Sequence, residues 1–171
     1  NADEANVLVK DENREETLAF VNQFGDLARV IRGTEKFTDD LQERVEHIRQ
    51  AMNNNTMADE AMLMKAHALA NEISDIRYAF YGPEAKASFE EVPPHQLSIN
   101  ERMSAVSRAM WGAETGVTKV MSDNYQILTE EFPPLLSQLE KIYNEDIPEL
   151  EKYLENIKAP YTPGRVPVWN K

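Results

Sequence analysis

Three observations predict an all-α bundle: apolar residues recur at steps of three and four, no stretch alternates apolar and polar residues as a strand would, and short polar or glycine-marked turns separate the periodic segments. The expected architecture is an elongated antiparallel helical bundle of about four helices, two long and two shorter. At 171 residues the chain is the size of one domain, and it shows no internal repeat.

Residues 1–10 carry no apolar stripe and are expected to be a linker. From Leu18 a stripe runs through Val21, Phe24, Ala28, Ile31, Thr34, Thr38, Leu41, Val45, Ile48 and Met52. It predicts one helix over 11–53, with a break at Gly33 as the alternative; unbroken, it would reach roughly 60 Å. Asn53, Asn54 and Asn55 form a polar turn, and Thr56 with Asp59 stands at capping-box spacing ahead of a helix over 57–81. The stripe of this helix is Met62, Ala66, Leu69, Ile73, Ile76 and Phe80, closed by Gly82-Pro83.

Pro83, Pro93 and Pro94 make the next stretch a surface loop, because proline opposes helix and central strand alike. Ser98 and Glu101 form a capping box for a helix over 98–111, with Met103, Val106 and Met110 on its apolar face. After a turn containing Thr115 and Gly116, a last stripe runs through Met121, Tyr125, Leu128, Phe132, Leu135, Leu139, Ile142, Leu150, Leu154 and Ile157. It predicts a helix over 118–158, kinked at Pro133, Pro134 and Pro148, where donors are lost. The tail, 159–171, holds Pro160, Pro163, Gly164 and Pro167, so it should run extended, anchored by Val168 and Trp169.

Thirty acidic residues against eighteen basic ones give a formal charge of −12, which repels phosphate backbones and anionic head groups and excludes nucleic acid as a natural partner. No apolar run reaches the roughly 20 residues of a spanning helix, so membrane insertion is not expected. No cysteine is present, which removes disulfides and thiolate chemistry. Because the sequence opens at Asn1 rather than at methionine, it is expected to be either a processed protein or, as the favoured reading, a fragment of a longer one.

The catalytic inventory is thin. Of three histidines, none follows a Glu-x-x-His pattern, since Arg44, Met64 and Val92 stand three residues before His47, His67 and His95, so the di-iron bundle reading fails and no metal or cofactor is expected. Glu43 and His47 read as a helix-surface pair, and His67 as a residue at the core edge. The carboxylate pairs Glu15-Glu16, Asp39-Asp40, Glu90-Glu91, Glu130-Glu131 and Glu145-Asp146 are sequence neighbours, which does not face two carboxyls across a sugar, and read as solvated faces. No nucleophile elbow or phosphate loop occurs among six glycines, and the chain is not expected to be an enzyme. Met52, Met62, Met103, Met110 and Met121 read as core, with Met57 undecided. Tyr81, Trp111, Tyr161 and Trp169 lie at helix ends or in loops, and Tyr81, Trp111 and Trp169 are the candidate interaction aromatics unless they merely cover the bundle ends.

Residues 97–169 carry a resemblance. Leu97-Ser98-Ile99-Asn100-Glu101-Arg102-Met103, the run Tyr143-Asn144-Glu145-Asp146-Ile147-Pro148-Glu149-Leu150 and the closing Pro167-Val168-Trp169 are similar to the C-terminal helical domain of secreted bacterial proteins with a sortilin-like or sialidase-type β-propeller, often labelled glycosyl hydrolases. The resemblance implies a periplasmic or extracellular setting, and partners in the upstream β-propeller or immunoglobulin-like domains of the same protein. Any sugar chemistry would belong to the propeller; no Asp-box of the Ser-x-Asp-x-Gly-x-Thr type is present, a departure from the full family pattern. The expected function is thus a non-catalytic accessory or interaction bundle, with leftover apolar surface that could equally support a homodimer. The alternative is a carbohydrate-processing or carbohydrate-binding module using such aromatics as Tyr81 and Trp111.

Overall fold

A computed structural model describes residues 2–83, 95–112 and 116–169, with side chains from Arg14 onward. Among the described residues the protein is all-α, with no strand. Helix α1 spans Ala2–Asn53, α2 Glu60–Tyr81, α3 Ile99–Gly112 and α4 Lys119–Lys141; a π-helical turn over Ile142–Asp146 passes directly into α5, Ile147–Asn156. The pattern of two long and two shorter helices therefore holds, with α4, the π turn and α5 making up the last of them.

The segment expected as a linker, 1–10, is helical from Ala2. It contains neither glycine nor proline, so nothing in its sequence interrupts a helix. Helix α1 also passes through Gly33 without a break. There the stripe keeps its phase, and Thr34 donates its hydroxyl to the Val30 carbonyl at 2.9 Å, which lets a threonine sit buried on the inner face. Leu18 is exposed, and the first buried residue among the side chains described is Phe20.

The chain divides into two units, one made of Asn1–Thr34 with Ala79–Pro133 and the other of Glu35–Tyr78 with Pro134–Lys171. In the first, Phe20, Phe24, Ala28 and Ile31 of α1 are buried, as are Phe80, Ile99, Met103, Val106, Met121, Leu128 and Phe132. Edge-to-face pairs tie its helices together, Phe20 to Tyr125 at 5.5 Å and Phe80 to Phe132 at 6.5 Å. Helix α3 starts at the capping box foreseen from Ser98 and Glu101: the Ser98 N–H donates to Glu101 Oε2 at 2.8 Å, and the Glu101 N–H to Ser98 Oγ at 3.3 Å. Thr118 plays the same part for α4, accepting the Met121 N–H.

In the second unit, Leu41, Val45, Ile48 and Met52 of α1 meet Ala66, Leu69, Ile73 and Ile76 of α2 and Leu139, Ile142, Ile147, Leu150 and Leu154 in one buried core. Residue pairings give the directions. Asp39 pairs with Arg77 across the turn after Asn53, so α2 runs antiparallel to α1. Phe37 meets Tyr143 and Arg44 meets Glu151, so α1 and the last helix run parallel. The turn ahead of α2 is not the expected Thr56–Asp59 box. Asn55 accepts the Met57 N–H on its side-chain oxygen, and Asp59 itself caps α2 by accepting from Ala61.

The prolines do not end the last helix. Helix α4 continues through Pro133 and Pro134, which stand on its exposed face, as do Thr129 and Glu130, whose carbonyls lose their donors and can turn to water. Ahead of Pro148 the chain widens instead of breaking. The Ile147 N–H donates to the Ile142 carbonyl, five residues back, which eases the proline ring past the preceding turn. The same turn settles which side chain faces inward. A regular helix would bring Asp146 inward four residues after Ile142; the wider turn delivers Ile147, fully buried, and leaves Asp146 at the edge.

The last helix ends in a Schellman turn, with Lys158 left-handed at φ 52° and the Ala159 N–H bonded to the Leu154 carbonyl at 2.9 Å. Residues 159–169 form no helix, as expected. Their anchors, however, are not Val168 and Trp169, which are exposed; Ala159 and Thr162 are buried, and Arg165 pairs with Glu155 at 2.6 Å while lying 4.8 Å from the centre of the Tyr161 ring. The Tyr161 hydroxyl accepts the Val168 N–H at 3.0 Å.

Candidate interaction surface

The titratable residues singled out by sequence are dispersed. His47 stands 3.7 Å from Glu43, the surface pair expected, whereas His67 lies exposed on α2 and not at the core edge. His95 reaches Glu101 at 3.3 Å. Glu101 is held below the ordinary glutamate value, chiefly by the Ser98 backbone N–H, against a smaller opposing effect of desolvation and with help from the Ser98 hydroxyl and His95. Among the described residues no group of three or more His, Asp or Glu is gathered as metal ligands would be. The pair Glu90-Glu91 lies outside the described residues, as does Thr115.

Among the described carboxylate pairs, Glu145-Asp146 departs furthest from the solvated reading. Glu145 is exposed, but the Asp146 side chain is largely covered at the edge of the π turn, with Lys141 Nζ at 3.7 Å and Lys65 Nζ at 3.9 Å. These separations give charge attraction without a hydrogen bond, and Asp146 Oδ2 has none. Lys65 also bonds to Glu149, so the lysine is consumed inside the unit.

Trp111 is 92 % exposed and Trp169 84 %, so neither covers a bundle end. Tyr81, partly exposed, precedes Gly82, whose position lies against Ser98 and Glu101 at the start of α3, while Trp111 stands at the far end of that helix. About 20 Å of helix separates the two positions, too far for them to grip one small ligand. The methionines divide as well: Met52, Met103 and Met121 are buried, Met62 and Met110 lie at the core edge, and Met57 and Met64 are exposed.

What the sequence reading passed over is the outer face of α2. Ala61, Met64, Ala68, Asn71, Asp75 and Tyr78 follow one another along the helix at steps of three and four, and these six, with Met57 in the turn just before the helix, are seven exposed residues. Met64 is 66 % exposed and Tyr78 55 %. Asp75 carries the only charge among the seven. Elsewhere in the same unit the outer faces are charged: α1 shows Lys36, Asp40, Glu43 and Glu46, and the last helix shows Glu140, Lys141, Glu145, Glu149, Lys152 and Glu155. A second heptad-like row was present in the sequence. It went unread because Ala61, Ala68 and Asn71 dilute its apolar character, and because the inner row from Met62 to Phe80 already accounted for a helix.

Comparison with known proteins finds no matching family model, no matching curated protein and no matching solved structure. No helix among the described residues is long and apolar enough to cross a membrane.

Proposed function

We propose that this chain is a non-catalytic accessory bundle that docks on a neighbouring domain or protein through the outer face of α2. The observation that carries the reading is the nearly uncharged exposed row from Ala61 to Tyr78 on a chain of net charge −12. Apolar side chains kept in water in a continuous row lower the free energy when another surface removes them from it. Methionine makes such a surface adaptable, because its unbranched thioether repacks easily. The dispersal of carboxylates and histidines, with no group of three gathered among the described residues, supports the non-catalytic part. Following the resemblance of residues 97–169, the partner lies upstream in the same exported protein, on or beside its propeller or immunoglobulin-like domains.

The test is calorimetry of the purified chain against the domains encoded next to it, with Met64→Lys and Ala68→Glu as face variants. Binding by the native chain that both variants abolish, with helicity unchanged, is the expected result. Equal binding by the variants, or turnover of a substrate by the isolated chain, would overturn the reading.

A further inference from the structure

The outer face of α2 also limits what its partner can be; this step rests on the docking reading above. The row Ala61, Met64, Ala68, Asn71, Asp75 and Tyr78 keeps a strict four-three spacing, which is the seam a second helix needs to pack alongside at a shallow angle. Ala61 and Ala68 alternate with Met64, so small positions stand beside a large one, and the backbone of an incoming helix can approach closely at the alanines. An extended strand would find no use for that spacing, because its own side chains alternate with period two.

Charge decides what flanks the incoming seam. Four charged residues border or occupy the row within Ala61–Tyr78: Lys65, Glu72, Asp75 and Arg77. Both basic residues are committed inside the unit, Lys65 to Glu149 and Asp146, Arg77 to Asp39 at 2.8 Å. Among the described residues Glu72 and Asp75 face no ion-pair partner, and Glu60 adds a third carboxylate at the helix start, where it also answers the helix dipole. The charges left to meet a partner are therefore acidic. A second copy would bring the same carboxylates to the seam, on a chain already at −12.

We infer that the outer face of α2 receives a basic amphipathic α-helix, with an uncharged seam at its core and lysine or arginine along the flanks that meet Glu60, Glu72 and Asp75. Such a helix buries its apolar row against Met64 and Tyr78 while its cations replace the water around the carboxylates.

The experiment uses the full chain and two synthetic helical peptides of about three heptads, both with leucine at the seam, one with lysine and one with glutamate at the flanking positions. Binding is read by fluorescence anisotropy of the labelled peptide. The lysine peptide should bind at least about tenfold more tightly than the glutamate peptide, and its affinity should fall as salt rises. Since a cationic peptide can also adhere loosely to any acidic protein, neutral variants separate the seam from general attraction. Met64→Ser with Ala68→Gln should weaken the lysine peptide by about tenfold, whereas Val166→Ser in the tail should leave it unchanged. The inference is overturned by equal or tighter binding of the glutamate peptide, by no binding of the lysine peptide, by indifference to the Met64 and Ala68 changes, or by self-association of the chain through this face in sedimentation. Failure by sign of charge leaves docking through α2 standing, since calorimetry with the neighbouring domains tests that separately.

Discussion

The hydroxyl of Tyr153 accepts the backbone N–H of Asp59 at 2.6 Å, joining the last helix to the residue that caps α2. An N–H at a helix entrance has no partner within its own helix, so a side chain from a neighbouring element supplies one. Beside it, Asn55 donates its side-chain amide to the Ile157 carbonyl at 3.3 Å, and together the two bonds fix where α2 begins relative to the end of α5.

Removing that hydroxyl with Tyr153→Phe should lower stability by about 0.5–1 kcal/mol, the worth of one neutral hydrogen bond at a partly exposed position. Urea denaturation should show a lower midpoint with an unchanged slope.

Acid should loosen the start of α3. The folded Glu101 lies below its ordinary value of 4.5, so its contribution is fully present above that value and is lost as pH falls through the depressed one. Glu101→Gln keeps an acceptor for the Ser98 N–H but removes the titration, so the difference in denaturation midpoint between native and variant should shrink on going from neutral pH to below 4.5. Ser98→Ala should cost about 1 kcal/mol at neutral pH, the usual loss of an N-cap.

Gly164 has φ 89°, and a Cβ there would lie 2.9 Å from Arg44 Nε. Arg44 cannot yield freely, because its Nε and one terminal nitrogen hold Glu151 at 2.8 and 2.7 Å. Gly164→Ala should therefore cost about 1–2 kcal/mol and free the tail first. Faster hydrogen exchange after Ala159, with the core of the unit still protected, is the expected signature.

Pro134 stands inside an exposed stretch of α4 without a donor for the Glu130 carbonyl. Pro134→Ala should restore that bond and raise stability by about 1–2 kcal/mol, less than the full helix-interior difference of about 3 kcal/mol because the exposed carbonyl is open to water. A rise in thermal midpoint measures it. An unchanged midpoint would mean that the surrounding helix has adapted to the proline.

The helices and most of their inner faces were legible from spacing alone, because Phe24, Ile31, Val45, Ile73, Leu128 and Leu154 recur with the period of the helix that buries them. The Ser98–Glu101 box was legible for a similar reason, being a purely local arrangement. What spacing could not give is whatever depends on the neighbour. Two rows of four-three spacing run along α2, and only packing determines that Ile73 faces inward and Met64 outward. The tail was misread because hydrophobicity favoured Val168 and Trp169 as anchors, whereas the anchoring is ionic and aromatic, through Arg165 on Glu155 and Tyr161. A sequence also does not show whether the carbonyls orphaned by Pro133 and Pro134 face water, so it could not say how α4 accommodates the two rings.

Between Ile142 and Ile147 the chain holds one residue more than an ordinary helical turn requires. Losing an exposed residue there, such as Asn144, would let the segment close as regular α-helix with Ile147, Leu150 and Leu154 still facing inward, provided Pro148 is changed to alanine to supply the missing donor. The same loss anywhere in the middle of α1 would rotate every later side chain by about 100° and turn the stripe out of the core. The last helix thus has a frame that tolerates shortening at one point, while the first has none, and length variation in this protein should be confined accordingly.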